Sequence, residues 1–223
     1  MTLSVLMLTV YESSLGQPRA TANMTVEGAT ITHVTKAVEP ECIISPFDPI
    51  MRKVGAEEGL DWRFMSAIAY SESRFIENLK SSRGARGIMQ IRPIVARHFN
   101  VPVEAIGDTE TNIRLAGMLL SELDSMLRIP HTTPEEDRLS IILASYNAGI
   151  GHVLDARRMA RAAGANPNSW EIVNHYLKLK ADPAYYKQEF VQNGRFSGSS
   201  QTESYVREVM KMYNRYCAVA SLS

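Results

Sequence analysis

Residues 62–91 read WRFMSAIAYSESRFIENLKSSRGARGIMQI, and the rest of the chain is read outward from them. Asp61, just before this stretch, is a short carboxylate able to accept a hydrogen bond from the orphan N–H groups of a first helical turn. Met65, Ile68, Ala69, Glu72 and Phe75 then recur at three- and four-residue spacing, which predicts one face of an α-helix. Glu72 is the odd member of that face. Its neighbours three, four and seven residues back are apolar, so the helix aims a carboxyl group at whatever covers them. The polar stretch after Phe75 also places Glu72 near the helix C-terminus, where the dipole disfavours negative charge. Both influences push a carboxyl pKa upward, toward a proton donor usable near neutral pH. The plainer alternative is a rim residue, or a buried glutamate satisfied by one arginine.

Gly84-Ala85-Arg86-Gly87 predicts a tight turn that lets backbone approach closely. It leads into Ile88-Met89-Gln90-Ile91 and then Pro93, a first-turn residue for a new helix. The amide of Gln90, inside an apolar run, needs a partner, and a ligand is one candidate.

The full chain has 223 residues, 45% of them hydrophobic, with 24 basic and 24 acidic side chains. That length and composition allow one generous domain with a substantial core. Zero net charge gives no electrostatic case for nucleic acid or an anionic membrane. No apolar run has the length of a membrane span. Leu3–Val10 is a short apolar run and Ala20-Thr21-Ala22 resembles a cleavage site, so residues 1–41 read as a leader or irregular tail. Residues 23–40 carry Thr and Val with some alternation, fitting a short strand or a tether. Cys42 and Cys217 bracket the helical region. A bridge between them would staple its ends in an oxidising compartment, if their Cα atoms lie within about 7 Å; free buried thiols are the alternative.

From Ser45 onward the pattern is helical. Asp48-Pro49 opens a helix over 47–56, and Pro93–Phe99 forms another. Asp108 caps a long helix stopped at Pro130. Thr133-Pro134-Glu135-Glu136 reads as a capping box whose helix ends at Asn147 and Gly149. His152–Ala163 follows, Asn166-Pro167 and Asp182-Pro183 open two more, Gln192–Gln201 is a loop, and Thr202–Tyr216 is the last helix. This predicts a single all-α domain over 42–217 and a short tail over 218–223.

The five histidines are scattered singly, without metal-ligand spacing. Neither a phosphate loop nor a serine-nucleophile elbow is present. Ala144-Ser145-Tyr146-Asn147-Ala148-Gly149 has two readings. One is a helix end closed by Asn and Gly. The other is a hydroxyl, a ring face and an amide suited to holding a sugar.

Taken together, Glu72-Ser73, Ser81, Gly84–Ile91, Asn112-Ile113 with Ala116-Gly117, Ala144–Gly149 and Thr202–Val206 resemble the soluble-lytic-transglycosylase domain. Within that family the chain is most similar to the catalytic module of membrane-bound type F enzymes, relatives of goose-type lysozyme. The resemblance covers about residues 45–216. It implies a lysozyme-like helical fold that cleaves the MurNAc–GlcNAc bond of peptidoglycan in the bacterial envelope, in the periplasm or at the outer membrane. It implies Glu72 as the acid/base, Ser81, Gln90, Tyr146 and Asn147 along the groove, and Tyr205 approaching the carboxylate from the last helix. No metal or organic cofactor is implied; the partner is the glycan strand, and the protein is expected to be a monomer. Arg92 stands where some relatives carry methionine, and Ser145 where alanine is usual. The solute-binding-like domain that often precedes type F modules is not expected.

Goose-type lysozymes carry aspartates 13 and 24 residues after the catalytic glutamate; here those offsets fall on Ala85 and Ala96. Ordinary glycoside hydrolysis uses two carboxylates. One carboxylate implies a lytic transglycosylase, in which the MurNAc C6 hydroxyl displaces the leaving group and forms a 1,6-anhydro ring. The rivals are a hydrolytic muramidase with a distal carboxylate and a glycan-binding scaffold.

Overall fold

The structure, a computed structural model, describes residues 43–220. The leader-like run, the 23–40 segment and Cys42 lie outside the described residues, and with them the pairing of Cys42 with Cys217. Nine α-helices follow one another among the described residues: α1 (Asp48–Glu58), α2 (Trp62–Ser73), α3 (Pro93–His98), α4 (Thr109–Leu127), α5 (Glu135–Ala148), α6 (Ile150–Ala162), α7 (Trp170–Leu179), α8 (Pro183–Tyr186) and α9 (Ser199–Ala220). A 3-10 turn, Val103–Gly107, precedes α4. Two isolated bridges, Lys80 to Arg86 and Arg86 to Ile91, are the only strand-like pairings among the described residues.

Local chemistry sets several helix ends. The Asp61 carboxylate accepts from Arg63 N at 2.8 Å and so caps α2 as its sequence position requires. Asp108 does the same for α4 through Thr111 N at 2.8 Å. Asp182 caps the single turn of α8 through Ala184 N at 2.8 Å.

The centre of the fold is α2, which lies against α1 and α9, while α5 packs on α4, α6 and α9. α2 and α9 run in opposite directions. Tyr213 meets Phe64 edge-on at 5.5 Å and donates its hydroxyl to Asp61 at 3.0 Å, whereas Tyr205, earlier in α9, faces Glu72 at the other end of α2. Met65, Ile68 and Ala69 of α2 are fully buried with Ala116 and Leu120 of α4, Ile141 and Leu143 of α5 and Val209 of α9. Each large aliphatic side chain removed from water contributes about 1.5–3 kcal/mol, which is what holds a bundle of mostly short helices together. At Gly117 a Cβ would come within 2.6 Å of Val54 Cγ1, so α4 can approach α1 this closely only with glycine there.

The structure departs from the sequence reading at several helix ends. Phe75 is not on the α2 face: Arg74 (φ 55°) and Phe75 (φ 63°) both turn left-handed and end the helix at Ser73. Phe75 instead packs near Phe47 and Tyr70, with ring centroids 6.3 and 6.0 Å away. Asp48 does not cap α1 forward; its carboxylate reaches back to the N–H groups of Ile44 (2.7 Å) and Ser45 (3.0 Å). The capping box at Thr133 does not form: α5 starts at Glu135, so Pro134 rather than Thr133 stands at its N-cap, and Thr133 N donates to Pro130 O at 2.9 Å. Asn166 makes a local turn with Asn168 N, and α7 begins only at Trp170. α9 begins at Ser199, inside the expected loop, and runs through Ala220.

Candidate active site

Glu72 occupies the next-to-last position of α2, half-buried beneath α5 and α9. Burial pushes its carboxyl up to about 7, while its interaction with the Tyr205 hydroxyl holds that rise back. Tyr205 Oη reaches no hydrogen-bond partner of good geometry among the described residues, so it lies close to the carboxyl without being committed to it. Burial and the nearby Glu72 charge raise both Tyr146 and Tyr205 well above the ordinary tyrosine range. Among the described residues no carboxylate contributes to the Glu72 shift, and no arginine or lysine neutralises it. The acid is isolated with two phenols.

The loop after α2 is held beside Glu72 by buried polar side chains. Ser73 Oγ donates to Ile88 O at 2.8 Å. Asn112, completely buried at the start of α4, accepts from Met89 N at 2.9 Å and donates to Arg86 O at 2.9 Å and Ile106 O at 3.0 Å. All three directions of its amide are therefore used. Gly87 (φ 77°) passes so close that a Cβ there would lie 2.4 Å from Asn112 Nδ2. The expected single turn is in fact two. Ser81 N bonds Ala85 O (2.9 Å) across the first, and Arg86 and Ile91 exchange backbone bonds (3.0 and 2.9 Å) around the second.

The structure brings together Glu72, Tyr146 and Tyr205, and sets the other expected residues around them in differing ways. Tyr146 does not present its hydroxyl outward, as the sugar-holding reading supposed; it donates to Met89 O at 2.7 Å. Tyr146→Phe therefore leaves that carbonyl unpaired, and a destabilisation of about 1 kcal/mol is expected. Equilibrium denaturation reads it, and an unchanged midpoint would place the hydroxyl in the groove instead. Asn147 is exposed, its Oδ1 held by Thr202 Oγ1 at 2.9 Å, which leaves its NH2 as the outward donor. Gln90 (φ 49°) already has protein partners: its Nε2 donates to Gly87 O (2.9 Å) and Leu79 O (3.2 Å). Ser81 Oγ accepts from Ala85 N at 3.0 Å and shares no hydrogen bond with Glu72, Tyr146 or Tyr205. Ser145 is buried and its hydroxyl bonds Ile141 O within its own helix at 2.9 Å; Arg92 is exposed at the start of α3.

Ser73, Asn112 and Thr202 carry the framework, and residue chemistry alone gave none of them a site role. Asn112 had a signal. It stands four and eight residues before Ala116 and Leu120, on the apolar stripe of α4, where a polar side chain must have partners.

An all-α, lysozyme-like domain with one isolated acid at the end of a central helix is the class defined here. The family model described as Transglycosylase SLT domain matches residues 49–168, and the chain belongs to that family. Membrane-bound lytic murein transglycosylase F of Haemophilus influenzae (strain PittGG) is 36% identical over 148 residues, covering 66% of this chain and 30% of that protein. The protein of the same name from Shewanella loihica is 36% identical over 155 residues, covering 70% of this chain and 31% of its own. The chain thus spans about a third or less of the relatives it matches. Among solved structures, an inactive mutant of the lytic transglycosylase Slt from Pseudomonas aeruginosa shares the fold at a TM-score of 0.51 and 20% identity, over 77% of this chain and 24% of that one.

Proposed function

We infer that residues 42–217 form a peptidoglycan lytic transglycosylase module acting on glycan strands as a monomer in the bacterial envelope. The observation that carries this reading is the half-buried Glu72 carboxyl, raised to about 7 with no second carboxylate contributing to that shift among the described residues. At neutral pH a useful fraction of Glu72 is protonated and gives its proton to the glycosidic oxygen as the bond to C1 breaks. The carboxylate left behind has the Tyr205 hydroxyl close by as a donor. It then takes the proton from the MurNAc C6 hydroxyl, which attacks C1 and closes the 1,6-anhydro ring. The substrate's own 2-acetamido group stabilises the cation between the two steps. An intramolecular nucleophile removes the need for a second carboxylate to activate water, and its positioning accounts for much of the rate. Among the described residues no helix is long and apolar enough to cross a membrane.

Mass spectrometry of muropeptides released from purified sacculi tests this. Products one water lighter than reducing-end muropeptides are expected. Reducing-end products would make the protein a muramidase, and retained binding without any product would make it a scaffold.

A further inference from the structure

The first turn of α6 carries a histidine whose tautomer is dictated by its neighbours. Lys180 is completely buried; its Nζ donates to Asp155 Oδ2 at 2.6 Å and lies 3.0 Å from His152 Nδ1. An ammonium group has donors and no acceptor, so Nδ1 must accept, and the proton of the neutral ring is then on Nε2. Partial burial and the adjacent Lys180 charge both disfavour a second ring proton. The ammonium is itself fixed, because Asp155 also accepts from Gln192 N (2.9 Å), Asn193 N (2.8 Å) and Arg158. His152 is half-buried, and its Nε2 makes no hydrogen bond among the described residues.

The segment packed on this imidazole leads, through Thr202, to residues beside the Glu72 site. The Phe196 ring lies 4.7 Å from the His152 ring at a 32° tilt, and Phe196 N donates to Lys180 O at 3.1 Å. Exposed Asn193 donates Nδ2 to Gly151 O at 2.9 Å. The same segment continues to Gly198, whose carbonyl accepts from Thr202 N at 3.0 Å, and Thr202 holds Asn147 beside Tyr146. One N–H donor with no partner among the described residues, one half-buried aromatic ring and two exposed amides thus lie on segments joined by these bonds.

We propose that the His152 Nε2–H and the Phe196 ring bind an N-acetylhexosamine residue of the strand next to the sugar being cleaved. The imidazole donates to the acetamido carbonyl, and the ring covers a C–H face of the sugar. This rests on the glycan-strand reading above. A neutral single donor beside an aromatic face suits an uncharged N-acetyl sugar. The Lys180 charge is paired with Asp155 and is not offered to a stem-peptide carboxylate.

The test uses the full chain carrying Glu72→Gln, so that peptide-free glycan strands bind without turnover, with affinity read by calorimetry. His152→Asn keeps an acceptor where Lys180 needs one but has no far donor, whereas His152→Gln places an N–H near the Nε2 position. Phe196→Ala and His152→Asn are expected to weaken binding roughly three- to tenfold, and His152→Gln by no more than about twofold. In the parent chain, nitrogen-15 NMR is expected to show the Nε2–H tautomer and a shift of that signal as strands are added. Unchanged affinity in His152→Asn, an equal loss in His152→Gln, or an imidazole signal unmoved at saturation would overturn the proposal while leaving the glycan reading standing. Absence of strand binding by the parent chain would overturn both.

Discussion

Glu72→Gln is expected to abolish release of muropeptides from sacculi, by at least about 10³-fold, because the proposed mechanism uses one group as both acid and base. The same substitution is expected to stabilise the fold at pH 8. With a carboxyl at about 7 in the folded chain and an ordinary value of 4.5, the folded state holds more protons than the unfolded state between those limits. Stability therefore falls as pH rises from about 4.5 to 7, then levels off with Glu72 ionised in a half-buried site. Glutamine removes that ionisation. The gain at pH 8 is on the order of 2 kcal/mol after allowing for partial exposure, and it vanishes below about pH 4.5. Thermal melts of both proteins at pH 4 and pH 8, beside turbidity assays, check this. For the wild type, kcat/KM is expected to be steady below about pH 7 and to fall tenfold per unit above it, as the proton donor is lost. Near wild-type turnover by Glu72→Gln would remove Glu72 from the chemistry.

The second large effect is expected at Asn112. Its amide satisfies Met89 N, Arg86 O and Ile106 O inside a fully buried site. Asn112→Ala leaves Met89 N and Ile106 O without this partner and Arg86 O with Ile91 N alone, at a cost of about 3–5 kcal/mol with the cavity included, which lowers the melting temperature by about 10 °C for a domain of this size. Activity is expected to fall with it, since the same loop supplies the Met89 carbonyl that holds Tyr146. Gly87→Ala should be comparably damaging, because the new Cβ would meet the Asn112 amide at 2.4 Å on a residue with φ 77°. The two effects are not expected to add. Removing the Asn112 side chain makes room for the methyl group that Gly87→Ala introduces, so the double variant should lose less than the sum of the single ones. A melting temperature for Asn112→Ala within about 2 °C of wild type would mean that the loop is held by other contacts.

The parts legible without a structure were those governed by near neighbours. Asp61 and Asp108 as caps, the α2 and α4 stripes, and the stop at Gly149 follow from hydrogen bonds and periodicity within a few residues. Where one near neighbour competed with another, the reading failed. Asp48 bonded backward to Ile44 and Ser45, and Thr133 N donated to Pro130 O, so that α5 starts at Glu135. The amide of Gln90, read as wanting a partner, found it in the carbonyls of Gly87 and Leu79.

The acid shows the same division. An apolar helix face ending in Glu72 was enough, by itself, to say that a carboxyl group would sit poorly solvated at the end of a central helix, because burial of that face follows from its own spacing. The all-α class and the family resemblance were also carried by the chain's order of motifs. Only the tertiary structure decided what surrounds the carboxyl: Tyr205 arriving from the antiparallel α9, Tyr146 tied to Met89, and, among the described residues, no opposing charge acting on it. Those are contacts between segments far apart in the chain. Solvation and proton affinity depend on distances of a few ångströms, and residue spacing does not encode them.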